Sequence, residues 1–178
     1  CGNGADMLVK RLLIDAGDKE LVHYEEARKL YRTEFDKDPF YKIQHYPGMP
    51  ETLKTLKQNG VKLGVCSNKP HEAAVKVVKR MFGDQVFDMV MGQSDSIRKK
   101  PAPDGPLKIA EAFGVLPEEC MYLGDSGTDM QTGKAAGMYT VGVLWGYREK
   151  EELLKNGADA LVESPEDILD LYEEKCSK

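Results

Sequence analysis

Little in this chain suits it to metal clusters, membranes or nucleic acid. Its 178 residues include only four cysteines and three histidines. Cys1, Cys66, Cys120 and Cys176 form no CxxC pair and no zinc spacing with His23, His45 or His71. This cysteine usage points to a reducing, cytoplasmic setting. Cys66 and Cys120 sit inside apolar runs, where cysteine behaves as a small hydrophobe. No apolar run approaches the roughly 20 residues of a membrane-spanning helix, and the first residues lack the pattern of a signal peptide. A basic excess is also missing, since 25 Lys and Arg face 30 Asp and Glu for a net charge of −5. Nucleic acid is therefore not an expected partner, because phosphate backbones need a basic footprint. The one basic cluster, Arg98-Lys99-Lys100, is too short to supply it. The chain shows no internal repeat and no low-complexity tract.

What remains is ordinary globular material, 41% hydrophobic and 31% charged, long enough for one domain with a small appendage. From about Pro50 onward, helix-like and strand-like segments alternate. The patterns predict helices over Pro50–Asn59, from Pro70 through Phe82, over Asp104–Phe113, Asp129–Ala136 and Glu149–Asn156, and from Pro165 onward. In the helix after Pro70, Ala74, Val77, Val78, Met81 and Phe82 follow a helical stripe. Between the helices lie strand-like runs at 61–67, 86–91, 120–124, 139–146 and 160–162. Such alternation implies an α/β fold, a Rossmann-like parallel sheet flanked by helices. The runs hardly alternate in polarity, as expected of strands covered on both faces.

The first 45 residues differ. Asp6–Ile14 and Lys19–Phe35 are two helical patterns with no strand between them, the second presenting Tyr24, Ala27, Leu30, Tyr31 and Phe35 along one side. Residues 1–45 therefore read as a partial helical cap, FYKIQHYPGMP as a hinge, and 46–178 as the core.

Ligands of open parallel sheets bind at the carboxyl ends of strands. Three polar motifs are expected there. VCSNK supplies a hydroxyl, an amide and an ammonium. RKKPAPDG holds Lys100 before two prolines that keep the backbone extended. LGDSGTD supplies two carboxylates, Asp125 and Asp129. Together these groups suit a phosphate and a divalent cation, with the carboxylates holding hard Mg²⁺ and the hydroxyl and lysine holding phosphoryl oxygens.

SNK, KPAP and GDSGTD in this order, followed by AAGM and GVLWGYR, resemble the haloacid dehalogenase superfamily, closest to its phosphoglycolate phosphatase-like branch. GNGADMLVKRLL, YPGMPETL and GADALVESPEDIL extend the resemblance over nearly the whole chain. It implies a phosphatase acting through an aspartyl-phosphate. Ser67 would hydrogen-bond a phosphoryl oxygen, with Asn68 shaping the loop. Lys100 would neutralise the attacking carboxylate and the phosphoryl group. Asp125 would bind Mg²⁺ directly, and Asp129 would hold it through a water or orient its shell. The substrate would be a small phosphate monoester such as phosphoglycolate, with pyrophosphate or a sugar phosphate as alternatives.

The chain departs from that pattern at one point. The family's attacking aspartate belongs to a DxDGT-type segment on the first strand, and no such segment occurs here. LLIDAGD has the wrong spacing, and Asp15 and Asp18 read instead as a helix end and the N-cap of the next helix. With the start at Cys1 rather than Met, the expectation is a fragment whose nucleophile, first strand and half-cap lie upstream, inactive alone.

Other readings are weaker. Asp125 and Asp129 also fit plain first-turn capping, and Ser67-Asn68 fit turn chemistry. Arg11 and Arg28 would reach a substrate anion from the cap but are mostly expected in solvent. Trp145 reads as packing, and Gly2 and Gly4 as a cap loop. Ser126 in GDSG lacks both a partner histidine and the GxSxG elbow, so it is not read as a nucleophile. An N-terminal nucleophile at Cys1 lacks a strand to seat it. A non-catalytic binding protein on the same fold remains the principal rival.

Overall fold

The structure is a computed structural model that describes residues 5–38, 40 and 42–176. Cys1, Gly2 and Gly4 lie outside the described residues. The chain divides into two compact units, Cys1–Ile43 and Gln44–Lys178.

The first unit contains α1 (Ala5–Asp15) and α2 (Tyr24–Lys37). The two helices are joined by charge, since Arg28 Nε donates to Asp6 Oδ1 at 3.0 Å. Lys10 Nζ lies 5.0 Å from the centre of the Tyr24 ring. Tyr24, Ala27, Tyr31 and Phe35 are half-buried as their spacing predicts, but Leu30 is 57% exposed. The second helix starts at Tyr24 rather than Lys19, and Asp18 is the reason. Its carboxylate accepts from Val22 N–H and His23 N–H, both at 2.9 Å, which fixes a turn before the helix. Asp18 is therefore a turn cap and not the N-cap, a place taken by His23.

The second unit is the α/β core. Its elements run α3 (Met49–Gln58), β1 (Gly64–Pro70), α4 (His71–Phe82), β2 (Met89–Gln93), α5 (Asp104–Phe113), β3 (Met121–Gly124), α6 (Gly127–Ala135), β4 (Tyr139–Val143), α7 (Lys150–Lys155), β5 (Ala160–Val162) and α8 (Asp167–Cys176). Every strand pairing is parallel, in two sheets of order β1-β2 and β3-β4-β5. Among the described residues, β1 pairs only with β2 and β3 only with β4, so each has one unpaired edge.

Several strand boundaries shift relative to the sequence pattern, and β4 ends at Val143 rather than 146. β1 begins at Gly64 and continues through Ser67, Asn68 and Lys69, with a register irregularity between Cys66 and Pro70. β2 begins only after Asp88, whose carboxylate binds Lys57 Nζ and Leu63 N–H at 2.8 Å. A side chain used to tie down the loop in this way delays the ladder.

The largest apolar cluster joins Leu56 of α3, Val141 and Val143 of β4, Val162 of β5 and Ile168 of α8. Leu153 of α7 is fully buried on the same half of the core. Truncating Leu153 to alanine is expected to cost about 3 kcal/mol, the usual loss for an enclosed leucine. Urea unfolding would read this, and a loss under about 1 kcal/mol would mean that the site collapses around the cavity.

Candidate active site

The chemically active groups converge where β1 and β3 end. Lys100, in the loop between β2 and α5, places its Nζ 2.6 Å from Asp129 Oδ1 in the first turn of α6. Their side chains are only 16% and 10% exposed, so this is a desolvated pair. The Lys100 ammonium also donates to Cys66 O of β1 at 3.3 Å. Asn68 grips the lysine's backbone from both sides. Lys100 N–H donates to Asn68 Oδ1 at 2.7 Å, and Asn68 Nδ2 donates to Lys100 O at 3.3 Å. Ser67 Oγ accepts from Lys69 N–H at 3.1 Å.

The loop carrying Lys100 is closed by a second ion pair. Arg98 donates through Nε at 2.9 Å, Nη2 at 2.7 Å and its own N–H at 3.2 Å to the Asp104 carboxylate, which opens α5. The guanidinium holds the Asp104 carboxyl down at about 2, from an ordinary 3.8. The Lys100–Pro101 peptide within this loop is cis.

On the other side, α6 is capped as the GDSGTD spacing allows. Ser126 is its N-cap, accepting from Asp129 N–H at 3.3 Å, while its hydroxyl donates to Asp129 Oδ2 at 2.6 Å. Both hydrogen-bonding roles of Ser126 are thus used on Asp129. The Ser-x-x-Asp pattern makes capping and site geometry one arrangement. Asp125 immediately precedes this cap, and its Oδ2 accepts from Tyr147 N–H at 3.1 Å in the segment after β4. Behind the ion pair, Cys66 and Tyr122 share a side-chain hydrogen bond, and burial pushes both the thiol and the phenol up. Each is therefore held neutral.

The structure thus brings Lys100, Asn68 and Asp129 into direct contact, with Ser67 and Asp125 at the adjoining strand ends. Arg28 lies in the first unit and is engaged by Asp6 and Glu25. Trp145 packs on the main apolar cluster, edge-on to Tyr46 at 6.4 Å. Sequence reasoning missed the Tyr147 amide and the Cys66–Tyr122 contact, which depend on chain crossings that no local pattern records. Gly146, in the GVLWGYR stretch, was the available signal for the first. Among the described residues no three His, Cys, Asp or Glu side chains converge on a cation. Two carboxylates at one strand end still fit Mg²⁺, which takes one or two protein carboxylates and completes its shell with water and substrate oxygens.

A family model for haloacid dehalogenase-like hydrolases matches residues 2–143. The chain belongs to this family. Phosphoglycolate phosphatase of Aquifex aeolicus is 31% identical over 172 residues, covering 97% of this chain and 76% of that protein. The Escherichia coli K12 phosphoglycolate phosphatase is 30% identical, covering 94% and 74%. A crystal structure of a haloacid dehalogenase-superfamily hydrolase, subfamily IA, from Geobacter sulfurreducens superposes with a TM-score of 0.70 at 28% identity, covering 94% of this chain and 72% of that one. The parallel sheet flanked by helices is the fold of these haloacid dehalogenase-like relatives. Among the described residues, no helix is long and apolar enough to cross a membrane.

The Arg98 brace predicts a titration. A carboxyl held below its ordinary value favours the folded state above about pH 4, and this contribution fades as the pH falls from 3.8 toward 2. Carbon-13 carboxyl shifts should show Asp104 titrating near 2 and returning toward 3.8 in Arg98→Ala. An unchanged midpoint in the variant would remove Arg98 as the cause.

Proposed function

We propose that this chain is the greater part of a Mg²⁺-dependent phosphatase that hydrolyses a small phosphate monoester, phosphoglycolate or a close analogue. The attacking aspartate is proposed to lie upstream, on a strand seated between β1 and β3. The desolvated Lys100–Asp129 pair carries this reading. A lysine and a carboxylate buried at the ends of two parallel strands form a poor stabilising device but a good receiver for phosphoryl charge.

Several features support the strand. Among the described residues β1 and β3 each keep an unpaired edge, and Leu123 of β3 is 37% exposed. Strands of parallel sheets are ordinarily covered on both faces. No DxDGT segment occurs among the 178 residues to supply the nucleophile from within.

In the proposed reaction the upstream carboxylate attacks phosphorus, the ester P–O bond breaks, and the leaving alkoxide takes up a proton. Water then attacks the aspartyl-phosphate, releasing inorganic phosphate and restoring the carboxylate. Lys100 offsets the charge of the nucleophile and of the transferring oxygens, and Asn68 fixes its backbone. The Ser67 hydroxyl donates to a phosphoryl oxygen. Asp125 would hold the cation directly, and Asp129 would hold it through water, because Lys100 and Ser126 already engage both its oxygens. Magnesium, when bound, supplies positive charge against the phosphoryl oxygens.

Release of inorganic phosphate from phosphoglycolate decides the matter, measured with and without Mg²⁺. The 178-residue chain alone should be inactive, and the same chain preceded by a DxDGT-bearing strand should be active. In the extended protein, Asp125→Asn should lower kcat about 100-fold or more, the scale of losing a principal charge stabiliser. Turnover by the chain alone at the same rate would overturn the upstream nucleophile. Unchanged activity of Asp125→Asn would overturn the metal assignment.

A further inference from the structure

The Asp125–Asp129 loop is held from behind by a segment 20 to 30 residues further along the chain. Gly146 lies so close to Asp125 that a Cβ there would overlap the aspartate side chain, and the next amide, Tyr147 N–H, binds Asp125 Oδ2. In the first turn of α7, Glu152 Oε1 accepts from Gly127 N–H at 3.1 Å. Asn156 backs this contact, with Nδ2 donating to Glu152 O at 2.8 Å and Oδ1 accepting from Gln131 Nε2 at 2.6 Å. The fit around Gly127 is close. A Cβ there would stand 2.6 Å from Asn156 Nδ2 and 3.2 Å from Glu152 Oε1.

Gly127 is the first residue of α6, and first-turn amides have no partner within their own helix. Ser126 satisfies the amide of Asp129. The amide of Gly127 is satisfied by a carboxylate 25 positions away. Its orientation sets the peptide plane that links Ser126 to the helix, with Asp125 one residue before and Asp129 two residues after. Arg148 Nε, 3.8 Å from Glu152 Oε1, offsets the added negative charge. The acidic loop thus has one fixed point beside each carboxylate.

We infer that Glu152 is a positioning residue, whose carboxylate anchors Gly127 N–H and thereby sets Asp125 and Asp129 as a cation-binding pair. This rests on the metal reading of that pair proposed above. Glu152 touches neither cation nor substrate and acts through the backbone. Partners of this kind typically change metal affinity 10- to 100-fold when lost.

The test compares Glu152→Ala and Glu152→Gln with their parent by amide NMR, all three preceded by the DxDGT-bearing strand. In the first arm, hydrogen exchange at Gly127 should accelerate at least tenfold in Glu152→Ala and stay near the parent rate in Glu152→Gln, which keeps the acceptor oxygen. Equal rates in all three would overturn the anchor, whether or not metal binds. In the second arm, MgCl₂ is titrated while the amides of residues 124–129 are followed. The apparent Kd should rise about tenfold in Glu152→Ala and recover in Glu152→Gln. A lowered melting temperature with unchanged Kd would overturn positioning in favour of a purely structural contact. If the parent chain shows no saturable shift, the metal reading and the inference toward it both fall, and the exchange arm still decides the anchor by itself.

Discussion

Among the described residues, the Lys100–Asp129 contact at 2.6 Å links two half-sheets that share no strand ladder. β1 and β2 belong to one half, and β3, β4 and β5 to the other. Lys100 comes from the loop after β2, and Asp129 from the helix after β3. Burying two charges costs several kcal/mol per ion before their attraction is counted, and removing one partner of such a pair typically costs about 3–5 kcal/mol. Each partner has one further bond, the lysine to Cys66 O and the aspartate from Ser126 Oγ. An apolar pair of equal volume would hold the halves together as well or better. The charges are thus better explained by what they do at the site than by what they add to the fold.

Supports reach the pair from both halves. In the β1–β2 half, the Arg98–Asp104 pair closes residues 98–104 locally, and Asn68 brackets the Lys100 backbone from 32 positions away. In the β3–β5 half, distant segments converge. Lys134 and the Thr140 amide both bind Asp159, tying α6 and β4 to the approach to β5. Tyr147 and Glu152 then reach the acidic loop itself.

Separation along the chain explains how much the sequence alone revealed. Helical stripes and strand runs depend on nearest neighbours in the chain, so the α/β order was legible and the helix over Asp104–Phe113 has its predicted bounds. The three site motifs were legible because SNK, KPAP and GDSGTD each carry their chemistry within a few residues. Boundaries slipped where a side chain overrode the local pattern, as Asp18 does before α2 and Asp88 before β2. The pairing of Lys100 with Asp129 spans 29 positions, and that of Gly127 with Glu152 spans 25. Neither leaves a mark on local periodicity. Leu30 fits its stripe and still faces outward, because a stripe records which residues share a side and not whether anything covers that side.

The side chains of the candidate site divide between the two halves. Asp125, Ser126 and Asp129 are short, with few rotatable bonds, and their backbone is fixed by a helix cap and two contacts from behind. On the proposed metal reading, this keeps Asp125 and Asp129 within the tolerance of about half an ångström that a binding site requires. Lys100 is long and flexible, and it is the group that must cross from one half-sheet to the other. A displacement between the halves can be absorbed along its four-carbon stem without moving the carboxylates. Exchanging the roles would place the adjustable group within one half and the rigid groups across the junction. The observed arrangement keeps the precise geometry within one half and leaves only charge to span the gap.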